Sequence, residues 1–235
     1  MTDRDDDLSA RDFLAHARAA APSGSARAAA AVISLDELRL RRGLDLEPAP
    51  ARWGRAQLAG RLVELSAVGA VASLTAAVGL VLEAQVEGEP VAWVGLPGAS
   101  FYPPDLADSG VDLDGLVVVR TPTPEAAGRA ADRLLRSGAF GLVVIDLGPG
   151  GAGAALSMGL QGRLVGLAQR HDAALVCITE KPADAASLGS MVSLRAEALR
   201  VRQGARYRCA VRALKDKRRG PGWAQDEEVD GPAGM

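Results

Sequence analysis

A chain of 235 residues, 48% hydrophobic, 24% charged and with a formal net charge of -2, is long enough for one complete core with appendages. That apolar content beside a near-zero charge excludes a wholly disordered chain, because it can bury enough surface to offset chain entropy. Cys177 and Cys209 stand singly rather than in CxxC or CxxH spacing, so neither a disulfide framework nor a zinc site is expected.

The segment Met1 to Asp7 is acidic and polar, the opposite of a secretory leader, and a cytoplasmic protein is expected. Residues 1–50 read as an N-terminal arm, partly disordered. Leu8 to Ala20 suits a helix capped by Ser9; Leu35, Leu38, Leu40 and Leu44 suit a short amphipathic helix, which Pro48 and Pro50 end. Such an arm is either a polymerising or partner-binding segment or a flexible leader.

From Gly60 onward apolar runs alternate with helical periods. Strands are predicted over Arg61 to Leu65, Val91 to Leu96, Leu116 to Arg120, Leu142 to Asp146 and Ala174 to Thr179. Helices are predicted over Val71 to Val86, Glu125 to Arg136 and Leu156 to Arg170; Pro124 opens the second and Gly138 closes it. Continuous apolar strands alternating with helices indicate an α/β fold whose parallel sheet is covered on both faces. The uncharged stretch Leu65 to Leu82 approaches the length of a membrane helix. Its Ala, Gly, Ser and Thr content and its lack of interfacial anchors favour a buried strand, turn and helix instead. Glu180 to Ser190 is a predicted loop. Ser193 to Arg202 and Tyr207 to Leu214 then form a predicted antiparallel hairpin. Residues 223–235, acidic and containing Gly and Pro, are expected to be a flexible tail.

Several ordered phrases resemble the RecA recombinase core. Gly60-Arg61-Leu62-Val63-Glu64-Leu65 is similar to the strand that leads into that family's phosphate loop, and Gly110-Val111-Asp112-Leu113-Asp114-Gly115-Leu116 to a later turn. Ser137-Gly138-Ala139 followed by Leu142-Val143-Val144-Ile145-Asp146 resembles the strand that bears the Walker B aspartate. The resemblance implies a RecA-like, mostly parallel sheet flanked by helices over residues 51–222, with the hairpin appended.

The departures bear on function. A working phosphate loop, GxxxxGK[ST], supplies glycines for close backbone approach, a lysine for phosphate charge and a hydroxyl for magnesium. Here Ala67 and Ala72 replace glycines, Gly69 lies between them, Ser73 takes the lysine position and Leu74 the magnesium-ligand position. No Lys or Arg occurs between Arg61 and Arg120 to substitute. Pro97 occupies the place of the family's water-activating glutamate, and proline has no acceptor side chain. Asp146 is left as a vestigial Walker B residue. We therefore expect no catalytic residues, no cofactor and no metal. His16 and His171 form no replacement acid-base set, and the run Gly148 to Gly153 lacks the GxGxxG register.

Basic residues crowd one segment: Arg195, Arg200, Arg202, Arg206, Arg208, Arg212, Lys215, Lys217, Arg218 and Arg219, opposed only by Glu197 and Asp216. Alternate residues of a strand share a face, so Arg200 and Arg202 project together, as do Arg206, Arg208 and Arg212. This DNA- or partner-binding candidate competes with a solvated hairpin paired to acidic neighbours. Lys215 to Gly222 also resembles a turn of the RecA core. Stacking aromatics are scarce, and the loop 180–190 has none.

A short RecA-like core without phosphate loop or catalytic glutamate resembles the ImuA family, accessory proteins of bacterial SOS mutagenesis cassettes. That resemblance implies a non-catalytic adaptor in translesion synthesis, with RecA and the Y-family-like polymerase partner ImuB as partners. No membrane or small-molecule substrate is expected. The alternatives are a DNA-binding recombination or repair factor using the basic hairpin, and a residual ATPase.

Overall fold

The computed structural model describes residues 51–99, 101–148, 156–204 and 206–230. The N-terminal arm and the glycine-rich run beyond Gly148 lie outside the described residues. From Ala51 onward the elements are α1 (Arg55–Leu58), β1 (Arg61–Ser66), α2 (Ser73–Val86), β2 (Val91–Gly95), α3 (Pro103–Asp108) and β3 (Leu116–Arg120). There follow α4 (Pro124–Ser137), β4 (Leu142–Asp146), α5 (Met158–Arg170), β5 (Ala174–Thr179), β6 (Leu194–Gln203), β7 (Arg206–Asp216) and β8 (Ala224–Asp230).

The strands form one mixed sheet in the order β3-β2-β4-β5-β1-β6-β7-β8. Pairing is parallel from β3 to β6 and antiparallel from β6 through β8. The α/β architecture with its appended hairpin is the one the apolar runs imply. β1, β2, β4 and β5 are buried along their whole length, as strands covered on both faces must be. On one face Val63, Leu65, Val144 and Val176 pack with Ala77, Leu80 and Val81 of α2. On the other, Leu62, Val143, Ile145 and Leu175 pack with Ala127, Leu135, Leu160 and Leu164 of α4 and α5. These two helices approach closely at Gly128, where an added Cβ would fall 2.5 Å from the Leu160 side chain.

Local chemistry sets the helix ends. Thr123 caps α4 by accepting the Ala126 amide at 3.2 Å, Pro124 opens it, and Gly138 ends it in the left-handed conformation at φ +72°. By contrast α2 starts at Ser73 rather than Val71, because the residues before it are drawn into backbone pairing with β6.

Two short helices, α1 and α3, were not foreseen; at 4 and 6 residues they leave little periodic signal. The larger difference is at the C-terminus. Residues 224–230, expected to belong to a flexible acidic tail, form β8 and pair with β7 from Arg206↔Asp230 to Arg212↔Ala224. Charge and a lack of apolar residues argue for fraying, but a basic strand alongside changes the balance. The uncharged stretch from Leu65 divides into β1, a loop and α2. Among the described residues no helix is long and apolar enough to cross a membrane.

Candidate functional site

In parallel α/β sheets ligands gather at the carboxyl ends of the strands, where β1, β4 and β2 deliver the residues singled out above. Ala67 follows β1 and is buried. The next residues are tied down by the protein's own backbone: Val71 N–H donates to the Gly69 carbonyl at 2.9 Å, and Ala72 N–H to the Ala198 carbonyl at 3.0 Å. The Ala70 carbonyl accepts from Arg200 N–H at 2.9 Å, and Val71 forms a bridge with Leu199. A phosphate loop works by pointing such amides at the anion. Here two of them are already satisfied by carbonyls.

Ser73 opens α2 and is buried; among the described residues its hydroxyl has no hydrogen-bond partner. Leu74 packs against the apolar core on the α2 face, consistent with its chemistry but useless for magnesium. Pro97 is exposed in the turn after β2.

Asp146, at the end of β4, is buried. Its Oδ1 accepts the Gly148 amide at 3.1 Å. Burial pushes its carboxyl above the ordinary value, while that amide, the nearby Trp93 indole and the charge of Arg120 act against the rise. Trp93 Nε1 approaches the carboxylate without reaching hydrogen-bond geometry. Arg120 comes from the end of β3, lies 5.3 Å from the Phe101 ring centre and reaches over Gly95. Sequence reading passed over Arg120 because only the sheet order brings β3, β2 and β4 side by side. The held carboxyl of Asp146 thus has structural partners.

A second polar group, also missed, lies under the loop 180–190. The buried Glu64 carboxylate on β1 accepts Thr179 Oγ1 at 3.0 Å and the Leu188 amide at 2.7 Å, and pairs with Lys181 Nζ at 2.6 Å. Buried Arg195 donates to the carbonyls of Pro182, at 2.6 Å, and of Ala185, and to Ser66 Oγ at 3.2 Å. Lys215 Nζ lies 3.4 Å from Ser187 Oγ, and Lys217 Nζ donates to the Ser190 carbonyl. Cys177, opposite Glu64 in the β1–β5 register, is pushed up to about 12, by burial first and then by the Glu64 charge. A thiol so held is inert. Lys181, Arg195, Lys215 and Lys217 therefore fasten the loop.

The remaining basic residues fall on two faces of the hairpin. Directly opposed residues in antiparallel strands share a face. The register Arg200↔Cys209 and Arg202↔Tyr207 puts Arg200 and Arg202 on the α2 side, with Arg200 stacked 5.4 Å over the Tyr207 ring. Arg206, Arg208 and Arg212 point to the opposite face. There Glu197 meets Arg212 at 2.8 Å, Glu228 lies 3.5 Å from Arg206 and stands directly across from Arg208, and Asp226 lies across from Ala210. Arg218 and Arg219 are exposed in the turn after Asp216.

Asp216 is the linchpin of that turn. Its carboxylate receives Arg61 at 2.6 Å, the Arg218 amide at 2.9 Å and Trp223 Nε1 at 3.1 Å. Burial alone would raise it, yet these donors outweigh burial and hold it below the usual carboxylate range.

No protein-family model matches the chain. It is 40% identical over 87 residues to Protein RecA of Rhodospirillum rubrum, covering 37% of this chain and 24% of that protein. It is 37% identical over 87 residues to Protein RecA of Frankia casuarinae, covering 37% and 25%. Against Protein RecA of Mycobacterium tuberculosis strain H37Rv the figures are 39% over 88 residues, 37% and 11%. The chain thus spans about a quarter or less of the length of the curated relatives it matches. Over little more than a third of its sequence the chain is similar to RecA proteins, and its mostly parallel α/β sheet with antiparallel C-terminal strands is consistent with a RecA-like fold.

Proposed function

We propose that this chain is a non-catalytic RecA-like accessory protein of the bacterial SOS response. It would act in translesion synthesis and induced mutagenesis, in the manner of the ImuA family, by binding RecA and a Y-family-like polymerase partner such as ImuB and modulating recombination. One observation carries the reading: the segment aligned with a phosphate loop has no cation, and its Val71 and Ala72 amides are hydrogen-bonded to the protein's own carbonyls. A triphosphate placed there would lose hydration without gaining compensating charge. The scaffold around it keeps a complete core, so what remains to such a protein is surface recognition.

RecA-catalysed strand exchange with the protein added tests the proposal. Inhibition or stimulation that saturates with protein, together with capture of RecA or ImuB by the purified chain, is the expected result. Unchanged strand exchange with no capture of either contradicts it.

Direct DNA binding by the hairpin is the weaker reading, because Arg206, Arg208 and Arg212 share their face with Glu197, Asp226 and Glu228.

A further inference from the structure

The sheet face opposite α2 carries α4 and α5, packed against each other. Arg129, Arg133 and Arg136 recur at helical spacing along the solvent side of α4, and Arg163 and Arg170 along that of α5. α5 contains no acidic residue. The acid between the rows is Asp132, which Arg136 reaches at 2.9 Å and Arg163 at 3.6 Å. Asp132 is 13% exposed, whereas Arg136 and Arg163 are 64% and 62% exposed, so the cations still face solvent. Arg136, Arg163 and Arg170 rim a groove of about 320 Å³ whose remaining lining includes Gly166 and Leu167.

Arg136 and Arg170 lie in the last turns of their helices, where a cation favours the dipole. The helix dipole does not account for Arg163 in mid-helix, nor for an apolar floor between the arginines. The two helices leave that floor open, since an added Cβ at Gly166 would meet nothing within 4 Å.

We propose that the α4–α5 groove docks an acidic segment of a partner protein, with carboxylates on Arg136, Arg163 and Arg170 and one apolar side chain on Gly166 and Leu167. Guanidinium forks match carboxylates in paired hydrogen bonds. The groove's size and apolar floor suit a side chain. A nucleic-acid duplex is convex, carries its phosphates outside and offers nothing apolar to fill such a depression, and the lining has no aromatic ring on which an unpaired base would stack. This inference goes beyond the adaptor reading: it names a surface and a partner chemistry, and it holds or fails whether or not RecA activity is altered.

The test is titration of the isotopically labelled full chain, followed by amide NMR, with a short peptide of glutamates around one central leucine. A glutamine-for-glutamate peptide and a DNA duplex run in parallel. Saturable shifts centred on Gly166 and Leu167 are expected, weakened about tenfold or more in the glutamine peptide and in the Arg136→Ser, Arg163→Ser, Arg170→Ser variant. If that variant does not fold, the shift map and the glutamine peptide decide alone. Absence of saturable shifts, shifts centred elsewhere, or equal binding of the glutamine peptide would overturn the proposal. So would tighter occupancy of the same amides by the duplex, which would make the groove a nucleic-acid site.

Discussion

The Lys181 ammonium lies 2.6 Å from Glu64 Oε1, and both side chains are buried beneath the loop 180–190, to which Lys181 itself belongs. Because Glu64 also holds the Leu188 amide, this one carboxylate fastens the loop at two points. Removing one partner of a buried pair strands the other, at a cost of about 3–5 kcal/mol. Lys181→Met should therefore lose stability of that order in urea unfolding and speed amide exchange across 182–190. The double variant Glu64→Gln, Lys181→Met should recover part of the loss. A loss under about 1 kcal/mol in Lys181→Met would show that the loop is not held this way.

Asp216 sets an acid limit. Burial tends to raise its carboxyl, but the Arg218 amide, Arg61 and Trp223 together hold it low. A depressed carboxylate contributes stability that is complete above the unfolded value, about 3.9, and is lost as pH falls through the lower folded value. Asp216→Asn should be clearly less stable than the parent at pH 7, with the gap closing at acid pH. A gap independent of pH would contradict the assignment.

Asp146 has the opposite sign. Burial raises its carboxyl despite the Gly148 amide, Trp93 and Arg120. Its favourable contribution is complete below the unfolded value, about 3.9, and is lost as pH rises through the higher folded value. At neutral pH the charge is a cost, and an asparagine oxygen can still accept the Gly148 amide. Asp146→Asn should hold or raise the melting temperature at pH 7 and flatten its fall above pH 4. A marked drop would mean that the charged form is required by the fold.

On the hairpin, Glu228 stands across from Arg208 and 3.5 Å from Arg206. Neutralising β8 with Asp226→Asn, Glu227→Gln and Glu228→Gln should raise non-specific DNA affinity, with the gain erased by added salt. Filter binding at two ionic strengths measures this. An affinity unchanged by the three substitutions would show that β8 does not counter the arginines.

Most of the fold was legible because buried parallel strands are written as unbroken apolar runs: Leu142–Asp146 and Ala174–Thr179 lie where the pattern puts them, and so does the apolar edge strand Leu116–Arg120, although most of it is exposed. The helix α4 was legible from Pro124 and Gly138. What escaped depends on partners distant in sequence. Ala224–Asp230 reads as frayed until β7 lies beside it, and only the β6–β7 register shows that the Arg200 and Arg202 pair and the Arg206, Arg208 and Arg212 set lie on opposite faces. Glu64 sat inside an apolar strand with no hint of Lys181, 117 positions on. That Ser73 and Leu74 offer neither a cation nor a magnesium-ligating hydroxyl at the positions aligned with a phosphate loop is read from the sequence alone, whereas the hydrogen bond from the Ala72 amide to Ala198 depends on β6 and is not.

Calorimetric titration of the purified chain with ATP and magnesium should give no saturable heat, since Ser73 and Leu74 stand where a cation and a magnesium-ligating hydroxyl are needed. A saturable isotherm with micromolar affinity, abolished by Asp146→Ala, would contradict the non-catalytic proposal and restore a nucleotide-driven mechanism.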